Sequence, residues 1–171
     1  DRLSGGRLLP AFGLGVADPR EQQAFGVDRK ERAPWFNEAL PLMRRLWSED
    51  DVEHHGARFH LDGITVRPKP VQSPMDVWLG GQAPSELRRV GRLGDGWLPS
   101  FCDATDIADG IPAIEAAATE ADREIAPEHF GALVAYAHGE VPDAFLQFVQ
   151  KRRPDITDPT QIIPSGHAGL T

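Results

Sequence analysis

The chain has 171 residues, of which 40% are hydrophobic and 26% charged, and its formal net charge is −8. That is the composition of a folded globular chain rather than a disordered one, and the acidic balance argues against nucleic acid, whose phosphates require a basic stripe. No run of about 18 apolar residues is present, so no membrane span or membrane partner is expected, and the single cysteine, Cys102, excludes an internal disulfide and any multi-cysteine metal or iron–sulfur site. One free thiol suits the reducing cytoplasm. The chain opens at Asp1 without a Met or a leader, and the natural N-terminus is expected upstream of it.

Residues 1–6 (DRLSGG) read as a helix end stopped by glycine, and 7–16 (RLLPAFGLGV) as a short buried strand closing on Gly13 and Gly15 and made irregular by Pro10. Residues 18–33 are polar and read as a loop with a short helix. Over 35–50, Phe36, Leu40, Met43 and Trp47 fall on one helical stripe, interrupted by Pro41, which either kinks the helix or marks its start. Trp35, Phe36 and Trp47 are read as core. From 51 to 71 the pattern turns to alternation with turn glycines at 56 and 63, predicting a hairpin-like excursion.

A second strand is predicted over 77–81 (VWLGG), then a helix over 83–94 opened by Pro84, with Leu87, Val90 and Leu93 along one side. Residues 96–101 (GWLPSF) form a third strand. The stretch 104–125 reads as helical, the helix proper starting near Pro112. Residues 130–139 form a fourth strand and 142–154 a helix stopped by Pro154, and another helix is predicted to open near Ala168. Strands alternating with helices at this spacing predict a parallel α/β sheet in a single domain.

Ligands in such folds sit at the carboxyl ends of the strands, which draws attention to Gly13-Leu14-Gly15 and Gly80-Gly81. Gly80-Gly81 ahead of a helix N-terminus would bare backbone N–H groups in the field of the helix dipole, an arrangement suited to phosphate; the alternative is a pair of tight-turn glycines with no ligand. Gly13-x-Gly15 is not a dinucleotide fingerprint, since the third glycine position is Asp18 and no helix opens at once. His54, His55 and His60, beside Asp50, Asp51 and Glu53, lie on the hairpin, where adjacent side chains point to opposite faces; they are read as a solvated hairpin, not a metal site. Cys102 has no evident His base and is not read as a nucleophile. Trp97 is either core or the wall of a flat ligand.

Taken together, DRLSGGR (1–7), FGLGV (12–16), EQQAFGVDRKER (21–32), NEALPLMRRLWSED (37–50), HGARFHLDG (55–63), RPKPVQSP (67–74), VWLGGQAPSELRRVGRLGDGW (77–97) and LPS (98–100) resemble the luciferase-like monooxygenases, flavin- or deazaflavin-dependent enzymes, in that family's order. GDGW after a strand and helix is the most specific piece. The segment down to PEHFGALVAYA (127–137) is similar to the branch that uses coenzyme F420. The resemblance implies an α/β fold, a (β/α)8 TIM barrel of which this chain looks like strands four to seven. A complete barrel needs about 250 residues. Strands one to three would be missing in front and strand eight behind, so the chain reads as an internal fragment. Half a barrel leaves open strand edges, and the isolated chain is expected to be unstable, associating or inactive.

The resemblance further implies that backbone at Gly15, Val16 and Ala17 faces the cofactor ring and that Gly80, Gly81 and Gln82 hold its phosphate. Many relatives carry a third Gly and a Trp or Glu after GxG, where this chain has Ala17 and Asp18. The family's acid/base residues lie largely on the early strands, so no catalytic residue is named. The implied function is F420-dependent hydride transfer to or from a small organic substrate, by a protein that is a homo-oligomer at full length. The alternatives are an FMN-dependent monooxygenase that activates oxygen, and a non-catalytic truncated remnant.

Overall fold

Short parallel strands alternate with longer helices, and the strands line up in chain order. The computed structural model describes residues 1–15, 18–134, 140–158 and 162. Strands β1 (Ala11–Phe12), β4 (Trp78–Leu79) and β5 (Gly96–Trp97) form a parallel sheet in the order β1-β4-β5. Pairing runs beyond these two-residue cores. Trp78 N–H donates to the Pro10 carbonyl, Gly80 N–H to Phe12 and Leu98 N–H to Leu79. Pro10, without an N–H of its own, contributes only its carbonyl, which an edge strand tolerates. The predicted fourth strand lies alongside β5: Trp97 bridges Phe130 and Ser100 bridges Leu133, both parallel. Its continuation over 135–139 lies outside the described residues, as does the helix predicted near Ala168.

Caps explain where the helices begin. Asp18 accepts the Arg20 N–H to open α1 (Pro19–Phe25), and Asp28 accepts the Lys30 N–H to open α2 (Arg29–Ser48). The second of these corrects the sequence reading, which gave 18–33 to a loop and short helix and began the amphipathic helix at 35 or at Pro41: Pro34 and Pro41 both lie inside one continuous helix. Helix α4 (Ala104–Glu120) likewise begins eight residues before Pro112 and ends before 125, because Asp103 and Asp106 accept each other's backbone N–H at its start. The reciprocal cap and the packing of Gly110 against the Trp97 ring outweigh the N–H that Pro112 lacks. Helix α3 (Pro84–Leu93) places Val90 in the core with Leu87 and Leu93 packed beside it, as its spacing predicts. Helix α5 (Asp143–Arg152) follows the fourth strand.

Residues of one parity on the strands, Val77, Leu79 and Trp97, are buried with Leu40, Val90, Ile114 and Ala118 beneath helices α2, α3 and α4. The α3–α4 contact is close because a Cβ at Gly91 would meet Ala118 N at 2.7 Å and the Ile114 carbonyl closer still, so only glycine fits. Of the aromatics expected in the core, Phe36 and Trp47 pack against it. Trp35 does not: one position round the helix from Phe36, it is 37% exposed and lies 6.3 Å from the Phe59 ring.

The excursion after α2 is an antiparallel hairpin of β2 (Val52–His55) and β3 (His60–Ile64), with His55 opposite His60. Gly56 belongs to its turn region, whereas Gly63 sits inside β3 with φ +66° rather than in a second turn. The histidines alternate as expected: His54 Nε2 lies 3.0 Å from Glu38 on α2, while His55 points outward beside Asp62. Glu38 also accepts the Arg58 and Phe59 N–H groups, so one carboxylate docks the hairpin onto α2. Among the described residues, no group of three or more His, Cys, Asp and Glu side chains is placed to hold a metal ion, and no helix is long and apolar enough to cross a membrane.

Candidate functional site at the carboxyl ends of the strands

The chain leaves β1 through Gly13-Leu14-Gly15 and β4 through Gly80-Gly81-Gln82, and these strand ends are neighbours because Phe12 pairs with Leu79. Gly15 has φ +77° and lies against Arg32, whose guanidinium donates to the Leu14 carbonyl at 3.2 Å. Val16 and Ala17 lie outside the described residues. A shallow apolar hollow of about 250 Å³ lies behind the β1 end, lined by Gly13, Leu14, Arg32, Trp35 and Phe36 among others. A larger hollow, about 580 Å³, is at the opposite end of the sheet around Asp122 and Arg123, where α4 ends.

At the β4 end, Gly81 adopts φ +106°, a conformation that L side chains rarely take, and a Cβ there would meet the Glu86 carboxylate at 2.7 Å. Glu86 Oε2 accepts the backbone N–H of both Gln82 and Ala83, each at 3.0 Å. Pro84 at the first helical position has no N–H to offer. Two amides at a helix N-terminus thus converge on one anionic oxygen, so the turn presents donors to an anion, and the chain's own Glu86 carboxylate takes them. The donor set therefore fits the phosphate of a flavin or deazaflavin cofactor. Sequence reading missed Glu86: it accepts the N-cap N–H as in one half of a capping box, but Ala83 has no side-chain acceptor to return the bond, so the usual signature is absent.

The Gln82 side chain crosses to the next strand end, donating to the Ser100 carbonyl at 2.6 Å and to Cys102 Sγ at 2.8 Å. Burial pushes the Cys102 thiol up to about 11, with the neighbouring Asp106 carboxylate adding to the rise, so the group is a poor nucleophile. Trp97 is core: it is 1% exposed, and its indole N–H donates to the Gly81 carbonyl at 2.8 Å, bracing the glycine turn from beneath. The loop after β5 is held by Arg153, which donates to the Phe101 carbonyl and to Asp106 at 2.5 and 2.6 Å. Phe101 is a non-glycine residue at φ 58°.

GDGW, at 94–97, is accounted for residue by residue. Gly94 closes α3 through its N–H to Val90, and Asp95 accepts from Arg44 at 2.5 Å, Arg123 at 2.9 Å and the Val77 N–H at 2.8 Å. Gly96 leaves room for the Trp78 ring, 2.5 Å from where a Cβ would be. Trp97 fills the core. The motif knits α2, α3, β4 and β5 together. A sequence profile of luciferase-like monooxygenases matches residues 1–153, the motif included. The chain belongs to the luciferase-like monooxygenase family.

An F420-dependent glucose-6-phosphate dehydrogenase of Gordonia bronchialis is 31% identical over 126 residues, 70% of this chain and 36% of that protein. Among solved structures, an F420-dependent secondary alcohol dehydrogenase in complex with an F420–acetone adduct superimposes with a TM-score of 0.71 at 23% identity, over 92% of this chain and 48% of that one. The FMN-bound oxygenating constituent of 3,6-diketocamphane monooxygenase from Pseudomonas putida gives 0.64 at 14% identity, over 88% and 45%. The luciferase-like chain thus spans roughly a third of that curated relative and about half of the solved structures it matches. The parallel sheet with its helices is part of a luciferase-like (β/α)8 barrel, as the sequence resemblance implied.

Proposed function

We propose that the protein carrying this chain is an F420-dependent oxidoreductase that passes hydride to or from a small organic substrate. The observation that carries the reading is the 31% identity, across 70% of the chain, to an F420-dependent dehydrogenase. The oxidised or reduced deazaflavin supplies the hydride chemistry when bound, and the protein supplies position and electrostatics. In this reading Gly80, Gly81 and Gln82 hold the cofactor phosphate, the glycines letting the backbone approach it, and the end of β1 at Gly15 faces the ring. The Gln82 amide group, tied to Ser100 and Cys102, holds the β4 and β5 ends together beneath the cofactor. The substrate is a small molecule, the full-length protein is a homo-oligomer, and its location is cytoplasmic.

The FMN monooxygenase reading has the support of one fold neighbour that binds FMN, at 14% identity. A fluorescence titration of the full-length protein with oxidised F420 and, separately, with FMN tests the choice. Micromolar or tighter F420 binding with weak FMN binding is the expected result. The reverse preference moves the protein to the oxygen-activating branch, and binding of neither leaves the non-catalytic reading.

A further inference from the structure

Phe101 holds a backbone conformation that its side chain disfavours. Its φ of 58° lies in the left-handed region, where a bulky aromatic residue is an outlier that persists only if its surroundings fix it. Two contacts fix it, and both come from helix α5 and its end. The Phe101 ring meets the Phe148 ring edge-on, with 5.6 Å between centroids. Its carbonyl accepts from Arg153 Nη1 at 2.5 Å. Arg153 closes α5 through its N–H to the Val149 carbonyl. Its side chain is 13% exposed and is aimed by Asp106 at 2.6 Å and Asp155 at 2.8 Å.

The same dihedral governs Gln82. The Ser100 carbonyl belongs to the planar peptide unit that precedes the Phe101 Cα, so rotation about the Phe101 φ turns it relative to the carbonyl that Arg153 pins. Ser100 and Cys102, on either side of Phe101, supply the two acceptors of Gln82 Nε2, at 2.6 and 2.8 Å, one for each N–H of that amide. Arg153, Phe101, Ser100 and Gln82 therefore form one contiguous chain of contacts, from the end of α5 to the end of β4.

We propose that Arg153 is a positioning residue: by pinning the Phe101 carbonyl it keeps the loop after β5 in the form that orients Gln82 at the end of β4. The inference rests on the reading of Gly80, Gly81 and Gln82 as the holders of the cofactor phosphate. Without the guanidinium, Phe101 relaxes to an ordinary negative φ, the Ser100 carbonyl turns, and the Gln82 side chain loses its acceptors. Lysine does not substitute, because a single ammonium lacks the planar fork that spans the Phe101 carbonyl and two carboxylates.

The test is a double-mutant cycle in the full-length protein, read by fluorescence titration with F420, or with FMN if that is the cofactor bound. Arg153→Ala, Arg153→Lys and Gln82→Ala should each weaken binding by about tenfold. Arg153→Ala combined with Gln82→Ala should bind no more weakly than the single variants, because both changes act through one side chain. Asp95→Ala, which removes contacts at the opposite end of the sheet, should keep wild-type affinity. In the free protein, iodoacetamide should alkylate Cys102 faster in both Arg153 variants than in wild type. A double variant whose loss is the product of the single losses overturns the inference. So does wild-type affinity in Arg153→Lys, weakened binding by Asp95→Ala, or an unchanged Cys102 rate in both Arg153 variants. Should Arg153→Ala fold poorly, Arg153→Lys takes its place in the cycle. A wild type that binds neither F420 nor FMN rejects the functional reading and the effect on affinity with it, while the alkylation rates still decide whether Arg153 sets the loop.

Discussion

The two ends of the parallel strands are built from different materials. At the amino ends, Asp95 gathers Arg44, Arg123 and the Val77 N–H around one carboxylate, and its own carbonyl accepts from His129 Nδ1 at 2.8 Å. Two guanidiniums and an amide on a half-buried acid make a lock whose loss strands several partners at once. At the carboxyl ends of β4 and β5 the contacts around Gly81 are thinner, one carboxylate on two amides and one side-chain amide on a carbonyl and a thiol, and the multiple contacts of Arg153 lie further out, in the loop after β5. An arrangement that must admit a ligand gains from partners that can be replaced, whereas an arrangement that only holds the sheet does not. This division matches the general rule for such barrels, with stability at the amino face and chemistry at the carboxyl face.

Asp95→Ala should have the largest effect, about 3 kcal/mol of stability, since it leaves two arginines and a backbone N–H without their acceptor. Urea denaturation reads it, and a loss under about 1 kcal/mol would mean that the lock is not what holds the amino face. Gly91→Ala should cost about 2 kcal/mol by forcing α3 away from α4, because the opposing atoms are backbone and cannot rotate aside; a thermal melt that matches wild type would contradict it.

The hairpin offers an intermediate case with a pH signature. The hydrogen bond from His54, followed by those from the Phe59 and Arg58 amides, holds the Glu38 carboxyl below the usual glutamate range. A lowered folded value means that the docking contribution is complete above the ordinary glutamate value of about 4.3 and is lost as pH falls through the lowered one. Protection of the Arg58 and Phe59 amides against hydrogen exchange should therefore fade at acid pH, ahead of the core amides of β4. Simultaneous loss of both would show that the hairpin is not docked independently.

The smallest stability effect belongs to the carboxyl face. Gln82→Ala should cost under about 1 kcal/mol, yet alkylation of Cys102 by iodoacetamide should become faster as the thiol loses its neighbour and gains water. In the wild type the alkylation rate should keep climbing toward about pH 11, where the buried thiol titrates, rather than levelling near the ordinary thiol range. A stability loss as large as that of Asp95→Ala would erase the distinction between the two faces.

Much of the fold was legible along the chain because its signals are local. Leu87, Val90 and Leu93 share a helical face whatever packs on them, Gly5 ends the first turn with φ +67°, and the hairpin histidines alternate because strands do. Where the reading failed, two local signals conflicted and packing decided between them. Pro112 and Pro41 suggested helix starts, but the caps at Asp103 and Asp28 lie further upstream, and core contacts hold the turns between. Trp35 has the composition of a core residue, and only its angle on α2 shows that it faces the hairpin instead.

The same division holds for the candidate site. Sequence by itself determined the family, the alternation of strands and helices, and the glycines at the strand ends, because backbone freedom and hydrophobic period are written residue by residue. It also pointed to a helix N-terminus after Gly81, where an anion is favoured. Only the tertiary structure decided that Glu86 already supplies that anion, that Gln82 reaches across to Cys102, and that Asp95 rather than a glycine is the centre of GDGW. Each of these depends on where side chains from separate elements meet, and that distance is set by the packing of α2, α3 and α4 on the sheet, not by spacing along the chain.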